Sequence, residues 1–177
     1  SIKFGFGANV DPAQHEGFEQ RFGFPLIEGW AMTETGSGAT IAANKSPHEP
    51  GRRCIGWPSN CEARVVDDDM VDLPDGTPGN LIVRKDAANP RRSFFSGYYK
   101  DEDETEKSWK GGWFHTGDVV MRAEDGRFYF VDRAKDVIRR AGENIAALEV
   151  DSVVVKHPAV GQVAVIAVPD EMRDEEV

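Results

Sequence analysis

The chain has 177 residues, 40% of them hydrophobic and 10% aromatic, which is enough apolar material for one ordinary domain or two small ones. Its formal net charge of -10 argues against a general nucleic-acid-binding protein, because neutralising phosphates requires a basic face. A nucleotide is not excluded, since it needs only a few local cations and backbone donors. No segment approaches the roughly 18 apolar residues of a membrane span, and no signal peptide is visible.

The two cysteines predict a reducing environment. Cys54 and Cys61 have no His or Cys neighbours at metal-ligand spacing, so we expect a pair of buried reduced thiols in a cytoplasmic protein. The ends suggest a longer parent protein: the first residue leads directly into a strand-like run, and the last five residues, RDEEV, form a charged segment.

The first 34 residues predict a parallel strand–helix–strand unit. Residues 2–7 alternate as a strand does, and residues 25–30 form a second short strand. Between them, Asp11 followed by Pro12 predicts a helix start, and Gly23 predicts its end after about Phe22. Parallel strands bind ligands at their carboxyl ends, which here are residues 7–9 and 30–34.

The middle of the chain predicts turns and short strands. Residues 35–38 (TGSG) are glycine-rich but lack the Gly-Lys-Ser/Thr ending of a phosphate loop, so we expect them to line an acyl pocket. Residues 44–51 form an exposed connection, and residues 55–84 suggest a small barrel or sheet layer. Residues 102–109 predict an acidic, solvated helix.

A β-hairpin is predicted around a turn at residues 121–126, in which Asp125-Gly126 is the tight-turn signal. Asp118 is expected at the mouth of the first strand, where a carboxylate can accept hydrogen bonds from two ribose hydroxyls. Arg133 follows the second strand and could bind the same sugar or offset phosphate charge. Taken alone, an exposed hairpin with a charged rim explains these residues better.

The last segment predicts the start of a second domain. A strand at residues 137–139, a turn at Gly142 and a helix at residues 146–156 follow one another, although three consecutive valines favour a strand within that helix. Residues 163–168, an apolar run, predict a buried strand.

The order of the motifs is more specific than any element. GWFHTGD (residues 112–118), DRAKD (132–136) and GENI (142–145) resemble the adenylate-forming ligases, which include acyl-CoA synthetases, luciferases and peptide-synthetase adenylation domains. GWAMTE (29–34), with GAN (7–9) about 20 residues earlier, resembles a second motif pair of that family. The sequences of these motifs most resemble those of the acyl-CoA synthetase branch, near the crotonobetaine and carnitine CoA-ligases.

The resemblance implies an α/β fold in two parts. Residues 1–132 would be the end of the large N-terminal AMP-binding domain, a βαβ unit plus a small β-barrel-like layer. Residues 133–177 would begin a small, mobile α+β C-terminal domain and be truncated. The resemblance places the chain in the middle of a protein of roughly 500 residues, so we expect the isolated piece not to turn over.

The resemblance also implies roles for particular residues. Thr33 would contact the phosphates of ATP and Glu34 would hold Mg²⁺, while Asp118 would bind the ribose hydroxyls. Arg133 would contact the same nucleotide, and Lys135 would be the hinge of the small domain. Thr33, Glu34 and Lys135 are thus the candidate catalytic residues.

Further positions are implied in the nucleotide or CoA site. Trp30 would pack beside the adenine, although taken alone a buried core Trp fits it equally well. Trp30 and Ala31 stand where Tyr and Gly are more usual, which narrows the pocket. The implied binding positions are Gly7, Ala8, Asn9, Trp30, Ala31, Met32, Thr33, Asp118, Phe130, Arg133, Arg139 and Gly142.

The function implied is an ATP-dependent carboxylic acid–CoA ligase acting through an acyl-adenylate. Its ligands would be ATP, Mg²⁺, coenzyme A and a small carboxylic acid; no nucleic acid is expected, and homo-oligomerisation is left open. Two alternatives stay open: an adenylation domain that loads a carrier-protein thiol, and a catalytically silent nucleotide-binding module. The ligase hypothesis requires Trp30, Glu34, Asp118 and Arg133 to converge around one nucleotide-sized hollow.

Overall fold

A computed structural model of the chain describes residues 2–140, 143–170 and 174–177. It contains two compact units: Ser1–Thr116 with Val120–Phe130, and Gly117–Val119 with Val131–Val177. The fold is mixed α/β, with one large sheet and few helices, which confirms the predicted class. The assignment of the units to a large and a small domain of a ligase stays a prediction.

The helices are α1 (Pro12–Phe22), α2 (Glu102–Lys107) and α3 (Ala147–Val154), and a short 3-10 turn covers Ala134–Asp136. The strands are β1 (Gly5–Gly7), β2 (Leu26–Trp30), β3 (Ile41–Ala42), β4 (Cys54–Pro58), β5 (Glu62–Val66), β6 (Pro78–Arg84), β7 (Trp109–Lys110), β8 (Trp113–Arg122), β9 (Phe128–Arg133), β10 (Val137–Arg140), β11 (Glu143–Ala146), β12 (Val168–Asp170) and β13 (Asp174–Glu176).

The predicted parallel unit is confirmed. The Asp11 carboxylate accepts the Ala13 N–H at 2.9 Å and caps α1, with Pro12 in the first turn. Gly23 ends α1 in the left-handed conformation (φ 71°) and donates its N–H to the Glu19 carbonyl. Strands β1 and β2 then pair in parallel, with Gly7 opposite Glu28, so their carboxyl ends lie at one edge.

The whole large sheet has the strand order β1-β2-β3-β4-β9-β8-β6-β5, and β7 pairs with β8. The hairpin β8–β9 turns where predicted, because Gly126 adopts φ 80° and closes the turn onto the Ala123 carbonyl. The core of the first unit includes the buried side chains of Trp30, Ile41, Ile55, Leu81, Val83, Trp109, Phe114, Val120 and Phe128.

The acidic helix is shorter than predicted. It ends at Lys107, and Trp109, which was expected to finish it, instead lies in β7 opposite Phe114. The indole is only 6% exposed, and its ring centroid lies 5.0 Å from that of Phe94. Burying the indole of Trp109 contributes more free energy than extending a short exposed helix would, because burial of a large ring is worth more than the helix propensity of one residue.

The second unit holds a four-stranded antiparallel sheet in the order β11-β10-β13-β12. Strand β10 and helix α3 lie where the sequence predicted them, so helix formation overrides the β propensity of Val153 and Val154. The expected turn at Gly142 lies outside the described residues.

The prediction of a buried strand at residues 163–168 is wrong. Within the described residues, β12 begins only at Val168, which is 50% exposed, and Ile166 is 68% exposed. The backbone is held instead by a side chain, since the Val165 N–H donates to the Asp151 carboxylate at 2.8 Å. An apolar run becomes a buried strand only where a neighbouring strand offers an edge and a layer covers its face.

Both cysteines are free thiols, as expected, but only Cys54 is fully buried. Burial raises the pKa of both thiols, which keeps them protonated and unreactive. Among the described residues, no helix has the length and apolar character needed to cross a bilayer.

Candidate nucleotide site

The loop that follows β2 is organised by a residue that the sequence analysis did not single out. The Thr35 hydroxyl accepts the Met32 N–H and donates to the Met32 carbonyl, each at 3.0 Å, and Thr35 is fully buried. This reciprocal pair turns the chain sharply after the strand, so that Thr33 is exposed and Glu34 half-buried. A Thr placed three residues after Met32, in the loop that follows the strand, is the local signal that could have predicted such a side-chain turn.

The loop that follows β1 lies at the same edge of the sheet. Ala8 and Asn9 are exposed, and Asn9 adopts the left-handed conformation at φ 53°, which Asn tolerates better than most residues. Because β1 and β2 are parallel neighbours, Gly7-Ala8-Asn9 and the loop from Trp30 to Glu34 both leave the sheet at its carboxyl edge. The structure therefore brings the two predicted N-terminal motif pieces together.

Trp30 is first of all a core residue. It is 7% exposed and belongs to the hydrophobic cluster of the first unit, as the structural alternative for this position required. Little of its ring surface is accessible, and its contact with adenine stays a prediction. Ala31 is exposed and Met32 is half-buried against the same cluster.

Glu34 is held by a second segment, the aromatic-rich residues 94–99, for which the sequence predicted no part in the site. The Tyr98 hydroxyl donates to Oε1 of Glu34 at 3.2 Å, and the Phe95 N–H donates to the Glu34 backbone carbonyl at 2.8 Å. Partial burial, and then the charge of Glu34, raise the pKa of Tyr98, so the phenol stays a donor at neutral pH. Nothing in the local sequence near Glu34 indicates this partner, which lies 64 positions away.

The Glu34 carboxylate fits a divalent cation. Within the described residues, its hydrogen-bond partner is Tyr98, which engages Oε1 and leaves Oε2 turned to no protein donor. A half-exposed carboxylate oxygen of this kind is a suitable hard ligand for Mg²⁺, which takes one or two carboxylates and fills its other positions with water and phosphate oxygens.

Asp118 and Arg133 meet in the second unit. The Arg133 guanidinium Nη1 lies 3.0 Å from Oδ1 of Asp118, and the Asp118 side chain is 3% exposed. The expectation that Asp118 lies at the mouth of a strand is wrong, since it lies in the middle of β8. Gly117 before it adopts φ 70°, a local irregularity that turns the backbone within the strand without ending it.

The other predicted positions near the hairpin are placed as follows. Phe130 is half-buried and packs on the core of the first unit, with its N–H bonded to the Arg53 carbonyl. Lys135 is exposed in the 3-10 turn between β9 and β10. Arg139 lies in β10, and its side chain and Gly142 are outside what the structure describes.

Asp132 is a site neighbour that the sequence analysis passed over. Its carboxylate is 1% exposed and accepts two backbone hydrogen bonds, from Arg133 at 2.8 Å and from Leu148 at 3.2 Å. It ties the end of β9 to the first turn of α3, on either side of Lys135. A buried carboxylate that accepts hydrogen bonds from two backbone N–H groups stabilises the local fold, so we assign Asp132 a structural role.

Trp30 and Glu34 belong to the first unit, whereas Asp118 and Arg133 belong to the second. Within the second unit, Asp118 and Arg133 form an ion pair, and within the first unit Trp30 ends β2 and Glu34 lies in the loop that follows it. The expected convergence of all four around one hollow stays a prediction.

A cluster of His15, Glu19 and His48 has the donor set of a metal site, with its ligand atoms within 4.8 Å of one another. Both imidazole nitrogens of buried His15 are already used: Nε2 donates to the Leu26 carbonyl at 2.8 Å, and Nδ1 accepts the Gly51 N–H at 3.1 Å. No lone pair of His15 is left for an ion, so the cluster fastens α1 to its neighbours.

His115, within the motif at residues 112–118, is half-buried in β8. Burial lowers the pKa of His115, and its Nε2 is a buried atom with no hydrogen-bond partner among the described residues. The imidazole is therefore neutral near physiological pH.

The structure combines a parallel β-pair, whose carboxyl edge carries two motif loops, with a β-hairpin that holds an Asp–Arg ion pair, in a mixed α/β fold. Residues 1–99 match the AMP-binding enzyme family. The chain belongs to that family.

Named relatives match almost the whole chain. It is 38% identical over 174 residues to a sulfoacetate–CoA ligase of Cupriavidus necator, covering 96% of this chain and 32% of that one. It is 34% identical over 174 residues to a crotonobetaine/carnitine–CoA ligase of Proteus mirabilis, covering 97% of this chain and 33% of that one. The chain thus spans about a third of the length of these relatives.

The fold matches solved structures equally well. An anthranilate CoA ligase in complex with anthranoyl-AMP superimposes with a TM-score of 0.77 at 25% identity, over 99% of this chain and 33% of that one. The resemblance to adenylate-forming enzymes that the motifs suggested is therefore confirmed at the level of family and fold.

Proposed function

We propose that the protein containing this chain is an ATP-dependent carboxylic acid–CoA ligase that acts through an acyl-adenylate. One observation carries the proposal: the Gly7–Asn9 and Thr33–Glu34 motifs emerge at one edge of a parallel strand pair. That edge is where α/β sheets bind nucleotides. The relatives that match almost the whole of this chain are named CoA ligases, and this supports the same reaction class.

In this proposal the loop that follows β2 binds the triphosphate. The exposed Thr33 hydroxyl donates to phosphate oxygens, and Glu34 supplies a carboxylate oxygen to Mg²⁺. The cation, when bound, neutralises phosphate charge that builds up during transfer. Thr35 holds the loop in shape through its bonds to Met32.

The ribose would be bound by Asp118. Asp118 accepts hydrogen bonds from the sugar hydroxyls, and a buried carboxylate does so strongly because little water competes. Arg133, whose side chain is 45% exposed, lies 3.0 Å from that carboxylate and offsets its charge, and it would contact the same nucleotide.

The chemistry has two steps. A carboxylate oxygen of the substrate attacks the α-phosphorus of ATP, the bond to pyrophosphate breaks, and acyl-adenylate forms. The thiol sulfur of CoA then attacks the acyl carbon, its proton is lost to solvent or a base, and AMP leaves with the bonding electron pair. Rotation about the exposed Lys135 between the two steps would bring residues 142–144, and Arg139, to the thiol site.

The test uses the full-length protein and acid-dependent ATP–pyrophosphate exchange. Sulfoacetate, crotonobetaine, carnitine and anthranilate are suitable first acids, because relatives are named for them. We expect exchange with at least one small acid, dependence on Mg²⁺, and thioester formation when CoA is added. Glu34→Gln, which keeps the side-chain size and removes the charge, should reduce exchange at limiting Mg²⁺.

The alternatives give different results. Exchange without thioester formation from CoA, but with loading of a carrier-protein thiol, would identify an adenylation domain. ATP binding without exchange for any acid, and unaffected by Glu34→Gln, would identify a silent nucleotide-binding module. The 177-residue chain alone should form no thioester, because it spans about a third of its relatives; turnover by this piece would contradict that expectation.

A further inference from the structure

Two segments of the first unit pack closely around Glu34. The Phe95 N–H donates to the Glu34 carbonyl at 2.8 Å, and a Cβ placed on Gly36 would lie 2.7 Å from the Ser93 carbonyl oxygen. A Cβ on Gly38 would overlap the Phe94 ring at 2.3 Å. Two glycines thus permit a backbone approach that side chains would prevent, so the position of Glu34 relative to residues 93–98 is imposed by the main chain.

Tyr98 is itself held by the start of α2. Its N–H donates to the Thr105 hydroxyl at 2.8 Å, and that hydroxyl donates to the Asp101 carbonyl at 2.7 Å. The ring of Tyr98 also packs edge-on against Phe95, with centroids 4.9 Å apart. The phenol therefore reaches Glu34 from an anchored backbone and not as a freely rotating surface side chain.

We propose that Tyr98 is a positioning residue for the metal-binding carboxylate, an inference that depends on the proposed function. Its hydroxyl holds Oε1 of Glu34 and fixes the rotamer in which Oε2 is presented to the Mg²⁺ that accompanies ATP. A free glutamate must lose rotamer freedom when it ligates a cation, and a second hydrogen-bonded residue removes that penalty in advance.

The neighbouring residue provides a matched control. Tyr99 carries the same phenol but is 88% exposed, against 37% for Tyr98. Tyr98→Phe and Tyr99→Phe each remove one hydroxyl and keep the ring, so both variants should fold. Only the first removes a hydrogen bond to Glu34.

The experiment measures metal binding separately from turnover. In the full-length protein, calorimetry of a non-hydrolysable ATP analogue is carried out with Mn²⁺, with Mg²⁺ and with EDTA. We expect Tyr98→Phe to weaken metal-dependent nucleotide binding by about tenfold, as loss of an outer partner of a metal ligand does. Binding in EDTA should be unchanged, and Tyr99→Phe should match the wild type in every arm.

Kinetics give a second readout. The Mg²⁺ concentration for half-maximal pyrophosphate exchange should rise about tenfold in Tyr98→Phe, while the rate at saturating Mg²⁺ stays near that of the wild type. Equal Mg²⁺ dependence in both phenylalanine variants, with an active wild type, would overturn the role of Tyr98 and leave the ligase proposal standing. A wild type without metal-dependent nucleotide binding or exchange would overturn both.

Discussion

The Arg133 guanidinium lies 3.0 Å from the Asp118 carboxylate, although the two residues are 15 positions apart in the chain. The carboxylate is buried and the guanidinium is nearly half exposed. A buried carboxylate stays ionised only where a cation or hydrogen-bond donors compensate for lost hydration. The Arg133 guanidinium compensates a carboxylate that has little contact with water. In the proposed function, that carboxylate accepts hydrogen bonds from the two ribose hydroxyls.

Asp118→Asn should reveal this acceptor. In the full-length protein we expect the apparent affinity for ATP to fall about tenfold or more, because a hydrogen bond to a charged group is lost. The wild type should also discriminate against 2′-deoxy-ATP, and the variant should lose most of that discrimination. Pyrophosphate exchange with the two nucleotides measures both. Asp103→Asn, at an exposed position in α2, is the control, and equal discrimination in all three proteins would contradict the ribose assignment.

Thr35→Val should destabilise the loop that carries Thr33 and Glu34. Valine has nearly the same shape but cannot bond the Met32 N–H and carbonyl, which would cost about 1–3 kcal/mol in the free energy of unfolding. Thr35→Ser keeps the hydroxyl and should retain most of the stability. Urea unfolding of the three proteins measures the difference. A valine variant as stable as the serine variant would show that the hydroxyl does not hold the turn.

Gly56→Ala should be far more damaging than an alanine at another left-handed glycine. A Cβ at Gly56 (φ 89°) would lie 2.1 Å from the Ala42 carbonyl carbon and oxygen, where β4 passes β3. At Gly76 (φ 83°) nothing lies within 4 Å, so only backbone strain of about 1 kcal/mol is expected. Soluble expression and thermal melting compare the two variants; equal losses would mean that strain alone matters at Gly56.

Stability should depend on pH through His115. Its pKa in the folded chain lies below the ordinary value of 6.5 because burial disfavours the imidazolium. The unfolded chain therefore binds the proton first, so the contribution of this residue is complete above about pH 6.5 and is lost as the pH falls. When the pH is lowered from about 7.5 to about 5, the free energy of unfolding should decrease more steeply in the wild type than in His115→Gln. Parallel profiles would show that His115 does not contribute.

Local chemistry made part of the fold predictable. Asp11, Pro12 and Gly23 mark the ends of α1 because their preferences depend on the backbone of two or three residues. The turn at Gly126 is predictable for the same reason. The predictions failed where a contact with a distant residue determines the conformation. Trp109 lies in β7 because its ring packs in the aromatic core. Ile166 is exposed, because the described residues provide no neighbouring strand for it.

The family can be recognised from the amino-acid sequence, because its motifs combine residue types whose order is rare. The same motifs identify the carboxylates and cations that are candidates for a nucleotide site. The contacts that hold those groups are visible only in the folded chain. Tyr98 meets Glu34 across 64 positions, and Arg133 meets Asp118 across a hairpin. Such contacts depend on strand register and on glycines that allow two backbones to approach, and neither leaves a periodic or local signal near the residues concerned.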